Sequence, residues 1–141
     1  MSVNTYSGTG ANLGTGASAV ILLGRVLLSV MFILAGWGKL TAIGATAGWF
    51  GSIGLPVPTA TAIFVGLVEL VGGLALLVGF QTRLAAIALA VFTVAATLIA
   101  HFDFSDQMQT LFFQKNFAIV GGFLILAVFG PGALSIDAKR G

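Results

Sequence analysis

The chain has 141 residues, of which 58% are hydrophobic and only 7% are charged. Soluble globular domains carry roughly 25% charged residues, so this composition excludes an ordinary soluble domain. The net charge of +2 is small and scattered, which excludes a nucleic-acid-binding protein because such a protein needs a clustered basic face. The absence of cysteine excludes disulfides, iron–sulfur clusters, thiolate zinc and covalently attached haem. We expect no metal site and no covalently bound cofactor.

The first part of the chain divides into a polar tail and an apolar run. Residues 1–18 are mostly small and polar without apolar periodicity, and we predict a disordered N-terminal tail there. Residues 19–40 lack the basic start of a secretory signal and are too long for its apolar region. A spanning helix needs about 20 apolar residues, so we predict that residues 19–40 form the first transmembrane helix.

Three further apolar runs are long enough to cross a membrane. Prolines at positions 56 and 58 favour a helix start just beyond them, and the glycines and proline at 130–132 favour a helix end. The predicted fold class is all-α, a polytopic membrane four-helix bundle, with a C-terminal tail at 138–141. Its remaining helices are predicted at 59–80, 84–100 and 111–130.

The distribution of charge predicts the orientation of the bundle. Four spans place both termini on one side, together with the turn between the second and third helices. Cytoplasmic loops carry an excess of Lys and Arg, so we predict that both termini are cytoplasmic. The cations on the terminal side are Arg25, Arg83, Lys139 and Arg140, whereas the opposite side holds Lys39 and Lys115 together with Asp103 and Asp106.

Glu69 is the clearest charge inside a predicted spanning helix. A charge near the bilayer centre costs on the order of 2.5–3.5 kcal/mol on insertion scales and usually faces the bundle interior with a partner. Glu69 lies about ten residues into the second predicted helix, close to the midplane. Gly66 and Gly73 share its face, where small residues let a neighbouring helix approach. We therefore predict that Glu69 points into helix packing.

Two cations on the first predicted helix are candidate partners for Glu69. At about 1.5 Å rise per residue, Arg25 lies roughly 7 Å to the cytoplasmic side of the midplane, and Lys39 lies about twice as far on the other side. We therefore predict Arg25 as the better partner. Both cations belong to one stripe that we expect to face the second helix, with spacings of four and three residues that also include Ser29, Phe32 and Gly36.

Polar residues of the last two predicted helices gather at the end of the bundle opposite the termini. Thr93, Thr97 and His101 recur at a spacing of four residues, which places them on one helical face. Asn116 and Lys115 lie near the start of the fourth helix. We predict a polar site in this half of the bundle that contains Glu69, Arg25, Lys39, His101 and Asn116.

Each candidate residue also has a structural interpretation that the sequence leaves open. Glu69 could form an ion pair that only fixes helix register, and Arg25 could extend to the cytoplasmic headgroups. Lys39 could anchor a helix end, and His101 could be a solvated loop residue. Trp37 could belong to the membrane aromatic belt or could stack on a ligand.

Five stretches of the sequence together resemble the DoxX family of bacterial inner-membrane proteins. The resemblance covers nearly everything from the first helix to the tail, and its most specific part is a membrane-centred Glu after GWGKL, closed by GPGALSID. The positions that match the polar pattern of the family are Arg25, Lys39, Glu69, Arg83, Asn116, Asp137 and His101. The stretches are RVLL leading to GWGKL (36–40), GLVELVGGLALLVGFQTRLAA (66–86), HFDF (101–104), QKNFAIVGGF (114–123) and GPGALSID (130–137).

The resemblance implies a four-helix membrane bundle in a family named after a subunit linked to thiosulfate and quinone oxidation, with relatives tied to oxidative-stress complexes. We therefore expect a quinone-binding subunit of a membrane oxidoreductase system, with a soluble or membrane redox partner and no redox centre of its own. Phe32 and Trp37 are the expected ligand-lining residues. The alternative is a non-enzymatic scaffold or assembly factor, including a homo-oligomer, in which a buried ion pair holds the bundle together.

Overall fold

The computed structural model describes residues 14–140, and every regular element within that range is helical. Four of the helices are long and apolar enough to cross a membrane, which confirms the all-α fold class and the polytopic membrane four-helix bundle. The helices are α1 (Thr15–Thr41), α2 (Ile43–Ser52), α3 (Pro58–Val78), α4 (Thr82–Ala100), α5 (Gln107–Phe129) and α6 (Ile136–Arg140), and the four spans are α1, α3, α4 and α5.

The first spanning helix begins before the apolar run. The predicted tail over residues 1–18 is wrong for residues 15–18, which form the first turn of α1, while residues 1–13 lie outside the described part of the chain. Ser18 is buried, and its N–H donates to the Gly14 carbonyl at 3.1 Å. Extension of an existing helix adds one hydrogen bond for each residue fixed, so a polar turn is readily added to a long apolar helix.

The ends of α3 and α5 are set by local backbone chemistry. α3 ends at Val78, two residues before the predicted end, because Gly79 adopts a left-handed conformation with φ 70°. The N–H of Phe80 then donates to the Ala75 carbonyl at 2.8 Å, as in a Schellman cap. α5 begins at Gln107, four residues before the predicted start, because the Asp106 carboxylate caps it by accepting from the Met108 N–H at 2.8 Å.

The C-terminal residues form a short helix instead of the predicted tail. The tail prediction for 138–141 is wrong for residues 138–140, which belong to α6, while residue 141 lies outside the described range. The hydroxyl of Ser135 accepts from the Ala138 N–H at 3.1 Å, and the N–H of Asp137 donates to the Gly79 carbonyl at 2.9 Å. These bonds hold α6 against the turn between α3 and α4.

α1 and α3 run antiparallel and pack through small residues, as the stripe on the first helix predicts. A Cβ atom on Gly36 would lie 2.5 Å from the Leu70 backbone nitrogen and 2.6 Å from the Gly66 carbonyl oxygen. A Cβ atom on Gly73 would lie 3.1 Å from the Ser29 carbonyl oxygen. These glycines therefore let the two backbones meet directly, which fixes the register between the helices.

The apolar core of the described residues lies in the half of the bundle where α1 begins and α5 ends. The rings of Phe32 on α1 and Phe123 on α5 meet with centroids 5.3 Å apart, and both side chains are buried together with Leu76 and Leu89. Long apolar side chains on the outside of the bundle, Leu27 among them, remain exposed. Since the helices are long enough to cross a membrane, these outward side chains contact the lipid bilayer.

Candidate functional site

A partly open cavity of about 230 Å³ lies between α1, α3, α4 and α5, in the half of the bundle where α4 ends and α5 begins. One water molecule needs roughly 10–15 Å³ of such volume, so the cavity has room for a molecule the size of a small ring system. Its apolar lining is rich in aromatic rings. The lining residues are Met31, Phe32, Ala35, Phe92 and Phe112, with the polar residues Lys39, Glu69, Thr93, His101, Lys115 and Asn116.

An ion pair between α1 and α3 forms one wall of the cavity. The Lys39 Nζ lies 2.8 Å from the Glu69 Oε2, and the two side chains are 25% and 10% exposed. Glu69 is thus almost buried, whereas Lys39 is partly exposed. The pair combines a donor that carries up to three protons with a carboxylate that can accept hydrogen bonds at both oxygens.

The partner of Glu69 is Lys39, so the prediction of Arg25 as the better partner is wrong. Counting residues along α1 and α3 separately estimates the depth of each side chain in the membrane. It does not show how the two helices are aligned along each other. The close approach of Gly36 to Leu70 places Lys39 within about one helical turn of Glu69. Arg25 lies 14 residues earlier on α1, which corresponds to roughly 21 Å along the helix axis, beside the end of α3.

Arg25 is fully buried and binds backbone carbonyls, so it neither faces Glu69 nor extends to the headgroups. Its Nε donates to the Leu76 carbonyl at 2.9 Å and its Nη2 to the Leu77 carbonyl at 2.8 Å. Its Nη1 donates to the carbonyls of Pro131 at 2.8 Å and Leu134 at 2.7 Å. Carbonyls in the last turn of a helix lack intrahelical donors, so Arg25 caps α3 and ties it to the C-terminal segment.

Arg83 and Asp137 cap two further helix ends at the same side of the bundle. Arg83 Nη1 donates to the Val128 carbonyl near the end of α5 at 2.8 Å. The Asp137 carboxylate accepts from the N–H groups of Gln81 and Thr82 at the start of α4, both at 2.8 Å. A carboxylate at a helix N-terminus and guanidinium groups at C-termini complement the helix dipoles. Arg83 and Asp137, like Arg25, therefore have structural roles distant from the cavity.

We expect Asp137→Ala to lower the free energy of unfolding at neutral pH by about 0.5–2 kcal/mol, the usual contribution of an N-cap. Burial acts to raise the pKa of Asp137, but hydrogen bonds from Thr82 and Gln81 and the charge of Arg140 outweigh it and lower the pKa below its ordinary value. The stabilisation is therefore fully present above about pH 4 and is lost as the pH falls through the lowered pKa. Unfolding of parent and variant in detergent across this range tests the prediction, and a difference that does not shrink in acid contradicts it.

Polar side chains of α4 and α5 line the opposite wall of the cavity. Asn116 Nδ2 donates to the Thr97 Oγ1 at 3.0 Å, and the Thr97 hydroxyl donates to the Thr93 carbonyl at 2.6 Å. The Thr93 hydroxyl is buried and has no hydrogen-bond partner among residues 14–140. It is therefore available to a molecule in the cavity, since a buried polar group without a partner is destabilising.

His101 lies at the outer rim of the cavity. Its Nδ1 is 2.6 Å from the Gln109 Oε1, and its ring packs on Phe112 with centroids 5.1 Å apart. The ring is half-buried rather than solvated as a free loop residue would be. Because Nδ1 is engaged by Gln109, Nε2 is the ring nitrogen that can face a ligand.

Of the two predicted ligand-lining aromatic residues, Phe32 lines the cavity and Trp37 does not. Trp37 is 60% exposed on the outside of the bundle, because it follows Gly36 by one residue and successive helical residues turn by about 100°. It therefore belongs with the lipid-facing residues. Phe92 and Phe112 also line the cavity, and neither was predicted to do so from the sequence. The spacing of four residues between Phe112 and Asn116, which places both on one helical face, could have identified Phe112.

Within residues 14–140, no group of three His, Cys, Asp or Glu side chains is close enough to hold a metal ion. The cavity instead presents an ammonium group, a carboxylate, an imidazole, an amide and a hydroxyl around aromatic rings. Such a set can bind a planar molecule with oxygen substituents and can exchange protons with it.

The comparisons with known proteins agree with this architecture. A family model described as DoxX matches residues 20–102. The chain is 44% identical over 117 residues to "Inner membrane protein YqjF" of Escherichia coli (strain K12), covering 83% of this chain and 88% of that protein. It is 29% identical over 133 residues to "Inner membrane protein YphA" of the same organism, covering 91% and 95% of the two chains.

A third relative carries a name that suggests a reaction. The chain is 32% identical over 77 residues to "Putative oxidoreductase CatD" of Bacillus subtilis (strain 168), covering 55% of this chain and 56% of that protein. No solved structure gives a significant match. With a family match over more than half of its length and a relative of 44% identity, this chain belongs to the DoxX family and is a multi-pass inner-membrane protein.

Proposed function

We propose that the chain binds a quinone in the cavity between α1, α3, α4 and α5, as a subunit of a membrane oxidoreductase system. The observation that carries this proposal is the ion pair of Lys39 and Glu69 in the wall of an aromatic cavity within the spanning helices. A lysine ammonium can donate to a quinone carbonyl, and the Glu69 carboxyl group can pass on a proton that it first takes up from water as the quinone is reduced. The rings of Phe32, Phe92 and Phe112 provide apolar contact for the ring.

The electrons would come from a redox partner protein. The chain contains no cysteine and a single histidine, so it offers no ligand set for an iron–sulfur cluster or a bis-histidine haem. The Bacillus relative is named a "putative oxidoreductase", and this name supports a redox system. In our proposal both termini face the cytoplasm, as the positive-inside rule predicts, and the quinone is held toward the opposite side.

A scaffold or assembly factor is the second candidate function. The observation that favours it is the structural use of Arg25, Arg83 and Asp137, which all bind backbone groups at helix ends. In this alternative, the pair of Lys39 and Glu69 also serves only to hold α1 against α3. The quinone site requires an ionisable carboxyl group at position 69. The scaffold requires only that the side chain at position 69 holds α1 against α3.

We expect Glu69→Gln to leave a folded protein that has lost most of its affinity for menadione, a compact neutral quinone. Glutamine keeps the shape, but its neutral amide holds the Lys39 ammonium less firmly than a carboxylate does, so the donor to the quinone carbonyl is no longer fixed in place. The expected loss is at least about tenfold, which corresponds to about 1.4 kcal/mol of binding free energy. Calorimetric titration of the purified chain in lipid nanodiscs measures it, together with the thermal unfolding midpoint.

Asp103→Asn is the matched control, because Asp103 is an exposed carboxylate near the same end of the bundle that binds only its own loop through Ser105. This control should bind menadione like the parent. Unchanged affinity in Glu69→Gln would contradict the quinone proposal. A large loss of stability in Glu69→Gln would instead support the scaffold.

A further inference from the structure

The cavity is closed at one end and open at the other. Phe32 and Thr93, at its inner end, are each only 4% exposed, and the Phe32–Phe123 pair continues into the apolar core. At the other end, His101 is half-buried and Lys115 is exposed. A ligand from the aqueous side therefore approaches through the His101 end.

The charged side chains that line the cavity include more cations than carboxylates. Glu69 is the only carboxylate among its described lining residues, and it is already paired with Lys39 at 2.8 Å. Lys115 has no acidic partner within residues 14–140 and lies over the Phe112 ring at 4.9 Å from its centroid. The open end thus presents positive charge next to an aromatic face.

The two carboxylates of the nearby loop do not offset this charge within the cavity. Asp103 accepts from the Ser105 backbone N–H at 3.0 Å and from the Ser105 hydroxyl. Asp106 caps α5 through the Met108 N–H at 2.8 Å. Both side chains are exposed and engaged by their own segment, and neither lines the cavity.

We infer that the cavity is a one-ended site for a compact aromatic anion, a ring that bears an ionised oxygen placed at the Lys115 ammonium. This inference rests on the proposed function, since it assigns the quinone to the class that carries an ionised hydroxyl. The rings of Phe32, Phe92 and Phe112 contact the aromatic body, and the buried Thr93 hydroxyl is available to an oxygen at the inner end. Lys115 determines the preference for charge.

Two naphthoquinones of the same size test this preference. Lawsone carries a ring hydroxyl that is ionised at neutral pH, and menadione carries a methyl group at that position and stays neutral. We expect the parent chain in nanodiscs to bind lawsone about tenfold more tightly than menadione, as a hydrogen bond to a charged group would contribute. Lys115→Met should abolish this preference, and Lys139→Met, which alters a lysine of α6 at the other end, should preserve it.

Equal affinities of the parent for the two compounds would overturn the anion preference and leave the proposed quinone site standing. A loss of preference in Lys139→Met equal to that in Lys115→Met would also overturn it. If neither naphthoquinone binds, the proposed quinone function fails. The sign of the charge in the cavity can then be tested by a measurement that needs no quinone.

The lack of native cysteines allows that measurement. Thr93→Cys places a thiol in the cavity with little change in shape, and Ser52→Cys places one on the exposed end of α2. We expect a sulfonate-bearing methanethiosulfonate to modify position 93 faster than a trimethylammonium-bearing one, after both rates are divided by those at position 52. A faster reaction with the cationic reagent, or an unreactive thiol at position 93, would overturn the inference.

Discussion

Replacement of Arg25 by methionine is expected to destabilise the bundle by on the order of 3–5 kcal/mol, the usual cost of removing one partner from a buried charged network. Methionine fills a similar volume but leaves the carbonyls of Leu76, Leu77, Pro131 and Leu134 without the donors that they have in the parent. Since the guanidinium is fully buried, lipid and water cannot readily replace it. The free energy of unfolding in a denaturing-detergent titration measures the effect.

Two variants test whether the hydrogen bonds from Arg25 to the carbonyls, rather than its positive charge alone, stabilise the bundle. Arg83→Met removes an arginine from the same end of the bundle, but its hydrogen bonds to the end of α5 are exposed, so we expect a loss of about 1 kcal/mol or less. Arg25→Lys retains the charge but cannot reach four carbonyls from one planar group, and we expect it to be nearly as unstable as Arg25→Met. A stable Arg25→Met protein would show that the carbonyl network is dispensable.

We expect Gly36→Ala to separate α1 from α3 and to cost about 3 kcal/mol, the upper range for overpacking. The added Cβ would lie 2.5 Å from the Leu70 nitrogen and 2.6 Å from the Gly66 oxygen, and backbone atoms cannot move aside as the tip of a side chain can. Because Lys39 lies on the same helix one turn away, its contact with Glu69 should weaken as well. Lower stability and weaker menadione binding should therefore appear together.

Gly38→Ala is the matched control on the same helix. A Cβ atom at position 38 meets no atom within 4 Å, and alanine favours a helix over glycine by up to about 1 kcal/mol. This variant should be as stable as the parent or slightly more so. Equal behaviour of the two alanine variants would rule out the close approach of α1 and α3 at Gly36.

The partner of Glu69 illustrates what a single sequence can and cannot predict. Spacing alone placed Glu69 on an interior face with Gly66 and Gly73, and it placed Lys39 and Arg25 on one stripe of α1. The choice between the two cations depended on the register of α1 against α3, which the glycine contacts set. An error of a few residues in that register moves a side chain by several ångströms, which is enough to exchange one partner for another.

The helix boundaries and the cavity lining are likewise only partly predictable from the sequence. The spans are recognisable from apolar length, but their exact ends depend on caps. Asp106 caps the start of α5, and the Asp137 carboxylate caps the start of α4. Phe32 is on the predicted interior stripe, whereas Trp37 is one residue beyond it and faces outward. Phe112 lies four residues before Asn116 and therefore shares its face toward the cavity. No pattern in α4 distinguishes Phe92 from a lipid-facing aromatic residue.

The four membrane-spanning helices of this chain follow from the sequence alone, because the length and apolarity of a segment are local properties and are sufficient for insertion into a bilayer. The sequence also predicts that Glu69 faces the bundle interior, because a carboxylate near the bilayer centre is costly in lipid without a partner. The pairing of Lys39 with Glu69 at a cavity, and the capping of a distant helix end by Arg25, are visible only in the folded bundle. Both depend on interhelical register and close backbone packing, which involve residues far apart in the chain.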